Sequence, residues 1–108
     1  MQTISTTKEI IQNIGKIFEK GLQNEYLSRS IGKIVEYEKE KTIKEVDMLK
    51  KELSRFESAY QMSSKDFFDR FERGELGDKE DYFEWSAMYQ MHERSVDRLN
   101  ILASPSVC

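Results

Sequence analysis

Residues 62–85 decide the fold, and they read Met62-Ser-Ser-Lys-Asp-Phe-Phe-Asp-Arg-Phe-Glu-Arg-Gly-Glu-Leu-Gly-Asp-Lys-Glu-Asp-Tyr-Phe-Glu-Trp85. Six aromatic rings and eight carboxylates fall within this stretch, which lies between two long segments of helical periodicity. Ser63, with Asp66 three residues later, has the spacing of a helix N-cap. Gly74 stands where a helix end favours a left-handed residue. The stretch therefore predicts a short helix over 64–73.

A last helix is predicted over 79–102. Asp78 precedes it with Asp81 three residues further on, which is again a capping arrangement, and carboxylates in the first turn complement the positive end of the helix dipole. The residues after this helix, 103–108, are predicted to form a flexible tail. One face of the helix carries a row of aromatic and apolar residues interrupted by a histidine: Tyr82, Trp85, Tyr89, His92, Val96 and Leu99.

Two further helices are predicted before the quoted stretch. The N-terminal helix, 5–23, has an amphipathic pattern, and the longer helix covers 26–60. Glu38 and Thr42 fall where the apolar stripe of the longer helix would continue, so this helix is either continuous or is bent or broken near 36–42. The apolar stripe of the first helix is Ile10, Ile11, Ile14, Ile17, Phe18 and Leu22. The second half of the long helix has a heptad seam of the kind found in coiled coils, although two heptads are too few to require one: Val46, Leu49, Leu53, Phe56 and Tyr60.

The composition favours an all-α fold. Hydrophobic residues make up 38% and charged residues 34% of the 108 positions, and the single proline lies near the C-terminus. Such a chain has few of the turn residues that a β-sheet protein needs. The predicted architecture is a single domain, 1–108. It is an antiparallel hairpin of the long and last helices, with the short aromatic helix in the connection and the N-terminal helix covering one side.

Charge is unevenly distributed along the chain. Residues 1–61 carry 11 basic and 10 acidic side chains, whereas 62–108 carry 6 and 10, and the net charge is −3. The acidic second half disfavours nucleic acid as a partner. No apolar run reaches the roughly 18 residues of a membrane span. The lone cysteine, Cys108, cannot form an intramolecular disulfide, which suits a reducing compartment. A cytoplasmic protein without membrane contact is therefore predicted.

The acidic stretch raises the question of a calcium loop. Asp69, Gly74 and Glu80 stand at positions one, six and twelve of the EF-hand template. Phe71 and Arg73 occupy positions three and five, where a calcium loop needs side-chain oxygens. No metal site is therefore predicted.

The only histidine, His92, offers no basis for catalysis. It lies in the apolar row of the last helix and has Tyr89 three residues before it, where a di-iron motif would need a glutamate. Neither a nucleophile with an orienting partner nor a phosphate-binding glycine loop accompanies it. The sequence predicts no catalytic residues and no cofactor, and hence no enzyme.

The six aromatic rings cannot all point inward, because the core of so small a protein is limited. Most are expected to plug one end of the hairpin. Two or three would form an aromatic anchor ringed by carboxylates, a composition that suits a basic surface on another protein. The residues assigned to this partner-binding surface are Phe68, Phe71, Glu75, Asp81, Phe83, Glu84 and Trp85.

The segment from Tyr60 to Tyr89 resembles a family of small helical prokaryotic proteins, some of which look like antitoxins of toxin–antitoxin gene pairs. The resemblance covers about 60 residues, from the charged long helix through Leu102, and hardly extends to the N-terminal helix. This chain has Gln61 where the family more often shows glycine, which removes an easy helix stop. The segments that carry the resemblance most specifically are Met62-Ser63-Ser64, Gly74-Glu75-Leu76-Gly77-Asp78 and Asp81-Tyr82-Phe83-Glu84-Trp85.

The resemblance implies an interaction protein. The leading hypothesis is a non-enzymatic, antitoxin-like module, itself a homo-oligomer, that binds and masks a partner protein such as a cognate toxin. The alternative is a structural homodimeric helical bundle without a toxin partner. An enzyme built on His92 and the acidic cluster is disfavoured, because no orienting or metal-binding set accompanies them.

Overall fold

A computed structural model of the protein describes residues 4–21 and 24–104. None of these residues forms a β-strand, which confirms the predicted all-α class. The chain divides into two compact units, Met1–Lys33 and Ile34–Cys108. The helices formed by the described residues are α1 (Ile4–Glu19), α2 (Glu25–Tyr60), α3 (Ser64–Glu72) and α4 (Glu80–Ala103). Most of the predicted tail, 105–108, lies outside the described residues.

The end of α1 and the start of α2 belong to the first unit. α1 ends at Glu19, and Gly21 follows with a φ of +88°, a left-handed value that glycine adopts without a Cβ penalty. Leu22, predicted to close the apolar stripe of this helix, lies outside the described residues. Asn24 begins the next helix, because its side-chain Oδ1 accepts a hydrogen bond from the Leu27 backbone N–H at 2.9 Å.

The helix α2 is continuous from Glu25 to Tyr60. The break considered near 36–42 is absent, and Thr42 shows why. Its side chain is only 1% exposed, and its hydroxyl donates to the backbone carbonyl of Glu38 at 2.7 Å. Because the helix itself satisfies this buried hydroxyl, a polar residue stands in the stripe without breaking the helix.

The core of the second unit is built around Trp85 and Phe67, both 0% exposed. Their rings are stacked with centroids 3.9 Å apart and planes 4° from parallel. The indole N–H of Trp85 donates to the Ser64 hydroxyl at 2.9 Å, so the one polar atom of this buried ring is satisfied. Leu53 completes the buried cluster. Around it pack Phe56, Tyr60, Met62, Phe68, Phe71, Leu76, Tyr82, Met88 and Tyr89.

The short helix α3 is held at both ends. The Ser63 hydroxyl accepts a hydrogen bond from the Asp66 backbone N–H at 3.1 Å. The Ser64 backbone N–H donates to the Glu57 carboxylate at 3.0 Å, which ties the start of α3 to the end of α2. After the helix, Gly74 takes a φ of +75°. These contacts hold α3 against the first turns of α4, where Phe67 stacks on Trp85.

The start of α4 differs from the prediction. The N-cap position is Lys79, and no side chain makes a capping hydrogen bond there. The predicted Asp78 cap is therefore wrong. Glu80 and Asp81 do lie in the first turn, so carboxylates still face the positive end of the helix dipole.

Side chains of α2 and α4 meet at two separate levels. Phe56 stacks on Trp85 with ring centroids 5.5 Å apart. Farther from the connection, Arg98 donates to the Glu45 carboxylate at 2.8 Å. The pair with the lower residue number in α2, Glu45, has the higher residue number in α4, Arg98. The two contacts therefore occur in opposite order along the two helices.

Gln61 has a φ of +54° and is the one non-glycine residue with positive φ among those described. An L-residue pays about 1–2 kcal/mol for this conformation. Its side-chain amide donates to the Ser58 carbonyl at 2.7 Å, which offsets part of that cost. We expect Gln61→Gly to raise the free energy of unfolding by about 0.5–1 kcal/mol, measured by urea titration.

Gln61→Ala is the matched control, because alanine keeps the Cβ penalty and loses the hydrogen bond. It should lower stability by a few tenths of a kcal/mol. If the glycine variant were the less stable of the two, backbone strain at this turn would not be the governing term.

Candidate protein-interaction site

Only one of the six aromatic rings in 62–85 is exposed. Phe67 and Trp85 are buried, and Phe68, Phe71 and Tyr82 are half-buried. Phe83 is 56% exposed. An aromatic anchor on this part of the surface therefore centres on Phe83.

Trp85 does not belong to any surface. Its ring is fully buried, stacks on Phe67 and also packs against Phe56 and Tyr60. A partner could reach it only by unfolding the core. Its inclusion among the partner-binding residues is therefore corrected, and its function is to hold α2, α3 and α4 together.

The α3 side of α4 carries the predicted aromatic residues. Phe71 and Phe83 meet edge to face with ring centroids 5.5 Å apart and planes at 86°. Phe68 packs on Tyr89 with centroids 4.9 Å apart. The aromatic pair Phe71–Phe83 thus joins the exposed ring to the buried cluster, so Phe83 is held in place and loses little side-chain freedom on binding.

Glu75 lies in the connection after α3 and is exposed. Arg73 Nε–H donates to its carboxylate at 2.7 Å. This hydrogen bond is the main reason that the pKa of the Glu75 carboxyl is lowered. The carboxylate is charged at neutral pH but is already paired within the chain.

Asp81 and Glu84 lie on the α2 side of α4, away from Phe83. Successive residues of an α-helix point about 100° apart, so Phe83 and Glu84 face different neighbours although they are adjacent in sequence. The two carboxylates line an open groove of about 290 Å³. The other residues that line this groove all belong to α2: Glu52, Arg55, Phe56, Ala59 and Tyr60.

A hydrogen-bonded chain runs along the rim of this groove. The Tyr60 hydroxyl donates to Asp81 Oδ2 at 2.7 Å and accepts from Lys79 Nζ at 3.3 Å. The pKa of Tyr60 is raised, chiefly because its proton is held by the Asp81 carboxylate. The pKa of Lys79 is also raised, chiefly by its hydrogen bond to Tyr60. Lys79 Nζ lies 5.0 Å from the centre of the Tyr60 ring, within the range of a cation–π contact.

The groove includes residues that the sequence assigned only to packing. Phe56 and Tyr60 appear in the heptad seam, where both contribute to the core. A signal for their second role exists in the sequence: they lie four apart on one helix face, preceded by Glu52 at the same spacing. What the sequence lacks is the position of Asp81 and Glu84 opposite them.

The described residues contain no group of three or more histidine, cysteine, aspartate or glutamate side chains placed to hold a metal ion. Of the helices that these residues form, none is both long and apolar enough to cross a membrane.

His92 Nδ1 is buried and makes no hydrogen bond. The Glu93 carboxylate lies 3.8 Å from this nitrogen.

The unpaired nitrogen of His92 gives a testable expectation. A buried polar atom without a hydrogen bond costs about 1–3 kcal/mol, and leucine has no such atom. We expect His92→Leu to raise the free energy of unfolding by about 1 kcal/mol, measured by urea titration at a pH where histidine is neutral. A loss of stability would mean that the imidazole makes a contact that leucine cannot replace.

No family model, curated protein or solved structure matches this chain. The candidate site is accordingly defined by its geometry: one exposed aromatic ring on the α3 side of α4, and one acidic groove on the α2 side.

Proposed function

We propose that the protein is a non-enzymatic, antitoxin-like interaction module that binds and masks a partner protein in the cytoplasm. The exposure of Phe83 carries this proposal. In a stretch whose other five rings are buried or half-buried, this one ring is 56% exposed and is braced by Phe71. A rigid, exposed aromatic side chain is the kind of residue that supplies much of the binding energy at protein interfaces.

The negative charge of the stretch 62–85 and the helix that follows supports a basic partner. The excess of carboxylates over basic side chains matters more than any single carboxylate, because the electrostatic potentials of two binding surfaces are complementary. The second half of the chain has 10 acidic and 6 basic side chains. The exposed carboxylates between α3 and the first turns of α4 are Glu72, Glu75, Asp78, Glu80, Asp81 and Glu84.

We infer that the scaffold of this module is an antiparallel hairpin of α2 and α4, with α3 packed into the connection. The opposite order of the contacts Phe56–Trp85 and Glu45–Arg98 along the two helices supports this arrangement. Such a hairpin would hold Phe83 on a helix that is anchored at both ends, which favours a preformed binding surface.

Co-expression with the product of the neighbouring gene tests the proposal. We expect the two proteins to purify together through a tag on this chain, and we expect this chain to restore growth that the neighbouring product alone inhibits. The matched control is co-expression of the neighbouring product with an unrelated protein of similar size and charge. A neighbour that neither binds nor becomes less toxic would contradict the proposal.

A second candidate is a homodimeric helical bundle without a toxin partner. Exposed apolar side chains on the described parts of α1 and α2 favour it, since such residues can pair between two copies of one chain. Light scattering on the purified protein measures whether it dimerises. A dimer that buries Phe83 would favour this second candidate, because that surface would then be closed to a partner, whereas a dimer that leaves Phe83 accessible would be compatible with both. The exposed apolar residues concerned are Ile10, Ile11, Ile17, Tyr26, Ile34, Tyr37, Ile43 and Met48.

A further inference from the structure

One wall of the groove between α2 and α4 consists of two aromatic rings that pack on the core. Phe56 and Tyr60 both line it, and both rings pack on the buried Trp85, with centroids 5.5 Å and 5.6 Å from the indole. The interplanar angles are 12° and 27°, so the two rings lie nearly parallel to the indole. Because the indole fixes them, the groove is formed before any ligand arrives.

The carboxylates of the groove differ in what they already bind. Glu52 accepts a hydrogen bond from Arg55 at 2.9 Å, and Asp81 accepts one from Tyr60. Among the described residues, no hydrogen bond or ion pair engages the Glu84 carboxylate. The groove therefore has three acids against one base, and one of the acids is free.

The chain itself shows that this rim accepts a cation. The Lys79 ammonium lies 5.0 Å from the centre of the Tyr60 ring and donates to the Tyr60 hydroxyl. Lys79 is not among the residues that line the groove, so the space beside Phe56 is left open. A second cation could enter there and meet both an aromatic ring and the free carboxylate.

We propose that this groove binds an arginine side chain of the partner protein, an inference that rests on the proposed function. A guanidinium is planar, stacks on aromatic rings and donates two parallel hydrogen bonds to a carboxylate. Phe56 supplies the ring, Glu84 supplies the free carboxylate, and Asp81 adds a second negative charge. A lysine ammonium would gain the charge attraction but neither the stacking nor the forked hydrogen bonds.

Binding of a tri-arginine peptide with blocked ends tests the groove without a known partner. The backbone amide NMR signals of the full chain are followed during titration with this peptide, and with tri-lysine as the matched probe. We expect the shifts to concentrate at 52–60 and 81–84, with tri-arginine binding about fivefold more tightly than tri-lysine. Glu84→Gln should weaken tri-arginine binding about fivefold, whereas Asp97→Asn, an equal charge change on an exposed residue of α4, should not.

Shifts spread evenly over the acidic surface, or equal weakening by the two variants, would overturn the inference. So would concentration-dependent shifts of the groove amides without peptide, because a second copy of the chain would then occupy the site. The groove and the proposed function can fail separately. A partner complex that Glu84→Gln leaves intact would refute the groove alone, and groove-specific arginine binding without any partner complex would refute the masking function alone.

Discussion

Trp85→Ala is expected to lower the free energy of unfolding by about 4 kcal/mol, the range found for removing a large buried aromatic side chain. The indole is fully buried and contacts Phe67, Phe56 and Tyr60 through its ring faces. Its removal also leaves the buried Ser64 hydroxyl without its donor. Domains have about 5–15 kcal/mol of stability in total, so the variant should be largely unfolded at modest urea concentrations. Circular dichroism during urea titration measures this.

Phe83→Ala is the matched control for Trp85→Ala, since it removes an aromatic ring two residues away on the same helix. We expect a loss of no more than about 1 kcal/mol, because the ring is mostly exposed and its main contact is the edge-to-face pair with Phe71. Trp85→Phe should lie between the two. Equal losses for Trp85→Ala and Phe83→Ala would contradict the assignment of core and surface made above.

The all-α class followed from periodicity and composition, which are local properties of the sequence. The residues at which the helices begin and end were harder to predict from the sequence. α1 ends at Glu19 instead of near 23, because the chain leaves the helix at Gly21, which takes a left-handed φ of +88°, whereas Gly15 stays within the helix. The polar residues Glu38 and Thr42 did not interrupt α2, since a threonine hydroxyl can bond to its own helix.

The candidate site was harder to derive, and the reason is geometric. The pattern of α4 already placed Trp85 in its apolar row and left Phe83 out of it. Residues two apart on a helix point about 200° apart, so if one faces the core the other cannot. That argument was sufficient to exclude Trp85 from a binding surface. No local pattern, however, could place Asp81 and Glu84 beside Phe56 and Tyr60, because that depends on the register between two helices far apart in sequence.

If the proposed masking function is right, Phe83→Ala is also expected to weaken the complex with the partner protein about 30-fold, which corresponds to about 2 kcal/mol for an aromatic residue at the centre of an interface. Its ring is the only exposed one of the six aromatic rings in 62–85, and it meets Phe71 edge to face, which restricts its orientation. Titration calorimetry on the co-purified pair, separated and recombined, measures the change.

Tyr37→Ala is the control for this binding experiment, because Tyr37 is an aromatic residue of α2 that is 66% exposed and lies outside the acidic region. It should leave the affinity within about twofold of the unmodified chain, as expected for a residue outside the interface. The small stability loss expected for Phe83→Ala separates a binding effect from unfolding. If Tyr37→Ala weakened the complex and Phe83→Ala did not, the partner would bind a face of α2, and the surface centred on Phe83 would have to be abandoned.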